Sequence, residues 1–180
     1  MPEQDSPDRD RIDAFLDEIS EELPKLDLEV EGIVDRISFL ERKVKRAMEE
    51  TLAERGLTHG EWSVLGVLKR SGPPYRRKPG VLARHAALST GAMTNRLDRL
   101  EERGLVRRLP DPNDRRGTLV EPTQAGHDVW DSTVGTQAQR EARIASVLDE
   151  SERADLHGLL RRLMRAFPDK GHHAGPPPDD

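Results

Sequence analysis

The residues best suited to chemistry form a polar cluster in the middle of the chain, where hydroxyl, amide and guanidinium groups follow one another within Ser89–Arg99. At about 100° per residue, a helix here carries one narrow apolar stripe formed by Met93, Leu97 and Leu100. The remaining surface is small and polar near the helix start, which suits insertion into the major groove of DNA, N-terminal end first. An ordinary surface helix with an arginine-rich face is the alternative interpretation.

Individual residues of this helix have types that fit a DNA groove. Gly91 lets the helix backbone approach the DNA closely, and Asn95 matches the hydrogen-bonding edge of adenine. Asp98 and Glu102 are repelled by phosphate, and we expect them to pair with neighbouring arginines further along the helix. The predicted DNA-contacting residues of the helix are Ser89, Thr90, Gly91, Thr94, Asn95, Arg96 and Arg99, with both arginines able to bind bases or phosphates.

A second basic cluster follows the helix, in a turn rich in Pro, Asp, Asn and Gly between strand candidates at 105–109 and 118–121. Arg115 and Arg116 are predicted on this exposed loop, where an arginine can enter the narrow, negative minor groove. Asp114 is predicted to orient one guanidinium by a bidentate pair. A solvated turn with a local ion pair is the alternative, but a groove-binding helix followed by a basic hairpin is more specific than either piece alone.

The elements that position these residues follow from apolar spacing and helix-end signals. Thr58 and Glu61 form a predicted capping box that opens one helix, and Ser89 is the predicted N-cap of the groove-binding helix. The order is helices, then helix–turn–helix–hairpin, then helices. This order predicts a mainly α fold with a small β-hairpin wing, in which a winged helix-turn-helix DNA lobe joins a helical dimerisation region.

The predicted organisation has five parts along the chain. They are a disordered tail at 1–8, N-terminal dimerisation helices at 9–56, the DNA lobe at 57–122, C-terminal dimerisation helices at 123–167 and a second disordered tail at 168–180. The last two helices are expected to run to Leu148 and to Phe167. Since the end helices carry more apolar surface than one chain can bury, a homodimer is predicted.

Charge and composition narrow the class of protein. The chain of 180 residues has a formal net charge of -5, yet residues 69–116 hold thirteen Lys and Arg against five Asp and Glu. A basic middle in an acidic chain is the electrostatic footprint expected for binding phosphates. The absence of cysteine excludes disulfides and thiol catalysis. Without an apolar run long enough to span a membrane, the predicted location is the cytoplasm, with no membrane partner.

Four segments of the chain resemble the MarR family of bacterial winged-helix regulators. They are Gly60–Leu65, Ser89–Glu101, Gly104–Arg107 and Asp111–Arg116. The resemblance implies an obligate dimer that binds double-stranded DNA at a pseudo-palindromic operator, with a regulatory pocket where the DNA lobe meets the dimer helices. It implies a ligand-responsive transcription regulator, acting as a repressor. A constitutive architectural DNA-binding protein without a ligand is the alternative function.

Within that family the chain is most similar to the subgroup that responds to urate and related organic anions. The N-terminal helix before Pro24, the Gly72–Tyr75 turn and the Met93–Arg96 segment carry this similarity. The chain departs from the pattern of this subgroup in two places. Residues 12–23 contain no Trp, and Ser63 stands where the subgroup has an Asp. Because loss of a pocket carboxylate favours an anionic ligand, citrate or aconitate is predicted in preference to urate.

The ligand-binding residues that this resemblance implies are Arg70, Ser63, His59, Arg46 and Arg42. Arg70 suits a carboxylate, and a basic loop at 76–78 follows it. A phosphate contact or a charge at the helix C-terminus is an equal alternative for Arg70, and Arg42 and Arg46 can simply be solvated. His59 is more simply explained as an exposed first-turn residue.

Other chemistry has little support in the sequence. No nucleophile–base set, catalytic carboxylate pair or phosphate-binding loop is found. The protein is therefore predicted not to be an enzyme, and no cofactor is predicted. His172 and His173 are adjacent in the C-terminal tail and have no nearby residue with metal-ligand spacing, so no metal site is predicted.

Overall fold

A computed structural model describes residues 9–167, which form seven helices and one two-stranded antiparallel sheet within that range. The elements are α1 (Arg11–Ser20), α2 (Leu28–Glu54), α3 (His59–Arg70), α4 (Pro79–His85), α5 (Thr90–Glu102), β1 (Val106–Asp111), β2 (Asp114–Pro122), α6 (Gln124–Ala145) and α7 (Glu150–Arg165). The predicted mainly α fold with one small hairpin is confirmed. The predicted tails, 1–8 and 168–180, lie outside the described residues.

The chain divides into two compact units, the first ending at Met48 and the second beginning at Glu49. In the first unit, α1 buries Ile12 and Leu16. The Arg36 guanidinium of α2 binds Asp10 at 2.9 Å and Asp13 at 2.7 Å. Asp10 also caps α1 by accepting hydrogen bonds from the first-turn amides. An apolar contact and an ion-pair cluster therefore join α1 to α2.

One face of α2 in this first unit is apolar and exposed. Its residues recur at helical spacing, and each is 41–54% exposed. They are Val30, Ile33, Val34, Ile37, Leu40 and Val44.

The second unit contains the core of the predicted DNA lobe. Helix α3 contacts α4, α5 and α6, and α5 also contacts β1. The fully buried apolar side chains of these elements, of β2 and of the α2 end are Leu52, Val64, Leu65, Leu68, Leu82, Met93, Leu97, Leu100, Val106 and Val120. Burying a side chain of this size contributes about 1.5–3 kcal/mol, so this cluster fixes the arrangement of the helices.

The helix ends follow the predicted signals. The Thr58 hydroxyl accepts from the Glu61 amide at 3.2 Å, and the Glu61 carboxylate accepts from the Thr58 amide at 2.9 Å. The Ser89 hydroxyl accepts from the Ala92 amide at 3.3 Å, which confirms it as the N-cap of α5. These caps satisfy amides that have no partner inside their own helix.

The hairpin differs from the prediction in its length. Its strands pair from Val106↔Pro122 to Asp111↔Asp114, so the predicted loop at 110–117 is wrong and only residues 112 and 113 separate the strands. Asp111 accepts a hydrogen bond from the Asn113 amide at 2.9 Å, which closes a tight turn. This turn lets the strands pair further along the hairpin than the turn-forming residue types suggested.

The C-terminal helices are also shorter than predicted. Helix α6 ends at Ala145 and not at Leu148, because Asp149 begins the next helix with a capping box. Helix α7 ends at Arg165, two residues before Phe167. No helix within 9–167 is long and apolar enough to cross a membrane.

Candidate nucleic-acid interface

The apolar stripe of α5 is buried as predicted and sets the orientation of the helix. Met93, Leu97 and Leu100 are each at most 1% exposed. Burial of this stripe turns the opposite face of the first two turns to solvent. That face consists of Thr90, Gly91, Thr94 and Asn95, with the N-cap Ser89 exposed beside it. We call these five residues the α5 tip.

The polar side chains of the α5 tip differ in whether they already form a hydrogen bond within the protein. The Thr94 hydroxyl donates to the Thr90 carbonyl at 3.0 Å, whereas the Asn95 carboxamide makes no hydrogen bond within residues 9–167. A Cβ atom added to Gly91 would meet no atom within 4 Å apart from its chain neighbours and the backbone of its own helix. Internal packing therefore does not require glycine at this position.

The two predicted arginines of α5 lie further back along the helix, towards α3. Arg96 is half-buried and packs on Gly60, where an added Cβ would overlap its guanidinium. Arg99 donates to the Asn95 carbonyl at 3.3 Å, and its Nε lies 3.9 Å from the buried carboxylate of Glu61. Neither guanidinium belongs to the α5 tip, although Arg99 remains 59% exposed.

An arginine on the first strand ties the hairpin to α5. Arg108 donates to Asp98 at 2.6 Å and also pairs with Glu101, which accepts from the Arg108 amide at 3.0 Å. Partial burial opposes the charge, but these hydrogen bonds outweigh it and raise the pKa of Arg108. The predicted pairing with a neighbouring arginine is confirmed for Asp98 and fixes β1 against α5, whereas Glu102 forms no ion pair within residues 9–167.

The base of the hairpin is joined to the segment that precedes α4. Arg77 forms a β-bridge with Val120, with backbone hydrogen bonds of 3.1 and 2.9 Å. Glu121 is 5% exposed and accepts from Arg76 at 2.5 Å and Arg107 at 2.6 Å. The basic loop at 76–78 therefore lies against the hairpin, held by this bridge and by the pairing of Arg76 with Glu121.

Two acidic side chains at this junction carry shifted pKa values. Burial opposes the charge of Glu121, but hydrogen bonds from Arg76 and Arg107 outweigh it and lower the pKa of its carboxyl. The pKa of Asp111 is lowered by the Asn113 amide and by Lys78, whose ammonium lies 3.3 Å away. Both groups are therefore charged at neutral pH and hold the hairpin in one position.

The hairpin tip presents two arginines from a strand. Arg115 and Arg116 are exposed on β2, and neither forms an ion pair with a carboxylate within the described range. Asp114 accepts from the Arg116 backbone amide at 3.0 Å. Thus Asp114 shapes the turn backbone, and the predicted pair between it and a guanidinium is not formed.

The predicted ligand residues fall in both units. His59 and Arg70 are exposed and Ser63 is half-buried on α3, in the second unit, while Arg42 and Arg46 are exposed on α2, in the first. Near Arg70, Trp130 of α6 stacks on Trp62 with ring centroids 3.6 Å apart. Lys69 lies 3.2 Å from the His127 ring and 3.0 Å from Asp131, so further polar contacts join α3 to α6.

Sequence reasoning missed the side chains that hold the DNA-binding elements together. Arg103 donates to the carbonyls of Arg55 and Gly56 at 3.0 and 2.7 Å, which joins the end of α5 to the end of α2. Glu121 and Arg108 act similarly at the hairpin. The available signal in the sequence was an acidic residue, Glu121, in a predicted strand that pairs with the basic residues 107 and 108.

The structure places no metal centre in the part of the chain that it describes. Within 9–167, no group of three or more His, Asp and Glu side chains is arranged to hold an ion. His172 and His173, for which no metal was predicted, lie outside the described residues.

Comparison with known proteins identifies this arrangement. A sequence profile of the MarR family matches residues 55–117. The HTH-type transcriptional regulator PecS from Dickeya dadantii is 32% identical over 147 residues, which is 80% of this chain and 87% of PecS. The structure of YusO from Bacillus subtilis has a TM-score of 0.71 at 25% identity and covers 79% of this chain and 99% of its own.

A DNA complex extends the comparison to function. The crystal structure of a MarR mutant from E. coli with operator DNA has a TM-score of 0.55 at 27% identity, covering 81% of this chain and 97% of that one. The assignment as a regulator and not an enzyme depends on these relationships. The chain belongs to the MarR family, and it is a winged-helix transcription regulator that binds DNA.

Proposed function

We propose that the protein is a homodimeric repressor that a small organic anion, of the citrate, aconitate or urate class, releases from a pseudo-palindromic operator. The observation that carries the ligand response is the position of Arg70. Its guanidinium is exposed at the end of α3 and makes no ion pair within residues 9–167. A guanidinium without a carboxylate partner suits a carboxylate ligand.

The surroundings of Arg70 favour a small planar or branched acid. An added Cβ on Gly66 would lie 3.0 Å from Arg70 Nη1 and 2.8 Å from the Trp130 ring, so all three residues adjoin. His59 and Ser63 lie on the same side of α3 at helical spacing from Gly66 and Arg70. An anion on Arg70 would therefore contact an aromatic ring and have hydroxyl and imidazole groups along the same helix.

The route from this site to DNA runs through α3. Helix α3 contacts α6 through Lys69, while its buried Glu61 faces Arg99 and Arg103 of α5. An anion changes DNA affinity only if it binds one arrangement of these helices more tightly than the other. A shift of α3 that moves α5 provides two such arrangements.

The dimer is supported by apolar surface that water would otherwise cover. Besides the stripe on α2, α7 exposes apolar side chains that are 41–78% accessible in the region from 156 to 167. They are Leu156, Leu159, Leu160, Leu163, Met164 and Phe167. Exposed apolar patches of this kind mark association surfaces, and a dimer would present two copies of α5 to DNA.

The experiment measures DNA binding by fluorescence anisotropy at constant ionic strength, with citrate, aconitate, urate or sulfate added. Quenching of Trp62 and Trp130, the two tryptophans of the chain, reports ligand binding separately. We expect an organic acid to weaken DNA binding while sulfate does not. Arg70→Ala should blunt the response and keep most of the DNA affinity, and Arg143→Ala, an exposed arginine of α6, serves as the control.

Two outcomes oppose this proposal. If sulfate acts as well as every organic acid, the effect is ionic screening of the DNA-binding face. If no acid changes DNA binding or tryptophan emission, the protein is a constitutive DNA-binding protein. A promoter reporter tests the repressor role, since deletion of the gene should raise expression from the operator.

A further inference from the structure

We propose that the α5 tip specifies A·T base pairs in each half-site, through the Asn95 carboxamide on adenine and the Thr94 methyl group on thymine. No arginine of α5 contacts a guanine in this arrangement. The proposal depends on α5 entering the major groove and is independent of the anion response proposed above.

The Asn95 side chain is free to pair with a base. It is exposed, and its carboxamide has no hydrogen-bond partner in the described chain. A carboxamide offers one donor and one acceptor side by side, which matches N7 and the N6 amino group of adenine. Guanine presents two acceptors at this edge, so the carboxamide oxygen would face another acceptor.

The Thr94 side chain is fixed with its hydroxyl turned towards the helix. Its Oγ1 donates to the Thr90 carbonyl at 3.0 Å, a bond that holds the side-chain rotamer. The hydroxyl proton is therefore used within the helix, and the methyl group supplies contact area on the exposed face. A methyl group in the major groove packs favourably on the C5 methyl of thymine.

Both arginines of α5 already have contacts within the protein, on the side of the helix that faces α3. Guanine is recognised most often by a bidentate arginine. Here Arg96 packs on Gly60 at the start of α3, and Arg99 bonds to the Asn95 carbonyl and faces Glu61. Buried Glu61 is thus a positioning residue, since its carboxylate lies 3.9 Å from Arg99 Nε and favours a position of this side chain close to α3.

The first experiment selects DNA duplexes from a random pool with the full-length protein. We expect the enriched half-sites to contain a fixed adenine and a fixed thymine where α5 lies, and selection with Asn95→Ala to lose the adenine. A fixed G·C pair at both positions overturns the inference and leaves the DNA-binding function intact. A pool without any enrichment overturns sequence recognition by α5 altogether, and the inference with it.

The second experiment uses atom-level changes in the selected duplex. Replacing the fixed adenine by 7-deazaadenine removes one acceptor, and we expect about tenfold weaker binding by the wild type and no change for Asn95→Ala. Replacing the thymine by uracil removes one methyl group and should weaken binding about fourfold.

Paired variants separate the two groups of Thr94. Thr94→Ser keeps the hydroxyl and loses the methyl, so it should bind thymine and uracil duplexes equally. Thr94→Val keeps a methyl and should retain the preference for thymine. Thermal melts verify that these exposed substitutions leave the fold intact. Equal sensitivity to uracil in Thr94→Ser and the wild type overturns the assigned role of the methyl group.

Discussion

At the scale of single residues, exposed groups of the DNA lobe divide into two chemical kinds. The α5 tip is uncharged and offers hydroxyl, amide and methyl groups, whereas Arg115 and Arg116 on β2 offer charge. Base edges are distinguished by hydrogen bonds and methyl contacts, while phosphates and the minor groove attract charge with little base discrimination. Removing an uncharged group of the α5 tip and removing one of these arginines should therefore have different effects on binding to specific and to random DNA.

Asn95→Ala and Arg116→Ala form a pair that tests this division. We expect Asn95→Ala to weaken the free energy of binding by about 1–3 kcal/mol for the specific site and by little for random DNA. Arg116→Ala should weaken binding to both kinds of DNA. It should also reduce by about one the slope of the logarithm of the binding constant against the logarithm of the salt concentration. Anisotropy titrations over a salt series measure both effects. Equal losses on specific and random DNA for both variants would show that the groove assignment is wrong.

Gly91→Ala separates DNA contact from folding. Because a Cβ at this position meets no atom within 4 Å apart from its chain neighbours and the backbone of its own helix, we expect the fold to gain about 0.5 kcal/mol from higher helix propensity. DNA affinity should nevertheless fall, since the added methyl group lies between the helix backbone and the DNA. Gly135→Ala in α6, which has equal free space, is the control for stability and should not change DNA affinity. Unchanged DNA affinity in Gly91→Ala would contradict close approach at this residue.

At the scale of elements, the hairpin is held by charged side chains and backbone pairing at its base. Arg108 ties β1 to α5, and Glu121 joins both strands of the hairpin to Arg76 before α4. The hairpin is consequently in a defined position before DNA arrives. A binding element that is already ordered loses less conformational entropy on binding.

Glu121→Gln tests this junction through pH dependence. The folded state lowers the pKa of Glu121 below its ordinary value of 4.5, so the charged form is favoured in the folded protein. The contribution of this carboxylate to the free energy of unfolding is fully present above that value. It is lost as the pH falls through the lowered pKa of the folded state. Unfolding in urea should show a loss of about 1 kcal/mol for Glu121→Gln at pH 7.

The difference in the free energy of unfolding between the wild type and Glu121→Gln should shrink as the pH falls below 4.5. Glu102→Gln, which changes an exposed carboxylate of α5, is the control and should behave like the wild type at pH 7. A difference between the wild type and Glu121→Gln that stays constant down to pH 3 would contradict the ion-pair explanation.

The sequence predicted the helices better than the contacts between elements. Thr58, Ser89 and the stripe at Met93 act within one helix or on one face, so local patterns suffice to find them. The hairpin register depends on the Asp111 turn. The pairing of Arg77 with Val120 joins residues far apart in sequence, and a single sequence carries no direct signal for such a pair.

The candidate site was predictable to a similar extent. The exposed residues of the α5 tip follow from helical periodicity alone. The contacts of Arg96 with Gly60 and of Arg99 with Glu61 involve another helix, and so finding them required the structure.

At the scale of the whole molecule, the exposed apolar stripes on α2 and α7 support the proposed dimer. We expect sedimentation velocity to give a dimer at micromolar concentration. Ile37→Lys and Leu160→Lys should each shift the protein towards monomer, because a charge would be buried at the interface. Gln139→Lys, at an exposed site of α6, should remain dimeric. A wild-type monomer at micromolar concentration would contradict the proposed assembly.

The most direct test of the account is a hydroxyl-radical footprint of the full-length protein on its selected operator. A dimer that inserts two α5 helices into successive major grooves should protect two symmetric half-sites about 10 base pairs apart. Minor-groove protection by Arg115 and Arg116 should flank each half-site and disappear when both are changed to alanine. A single asymmetric footprint, or protection no stronger than on unrelated DNA, would contradict recognition by paired winged helices.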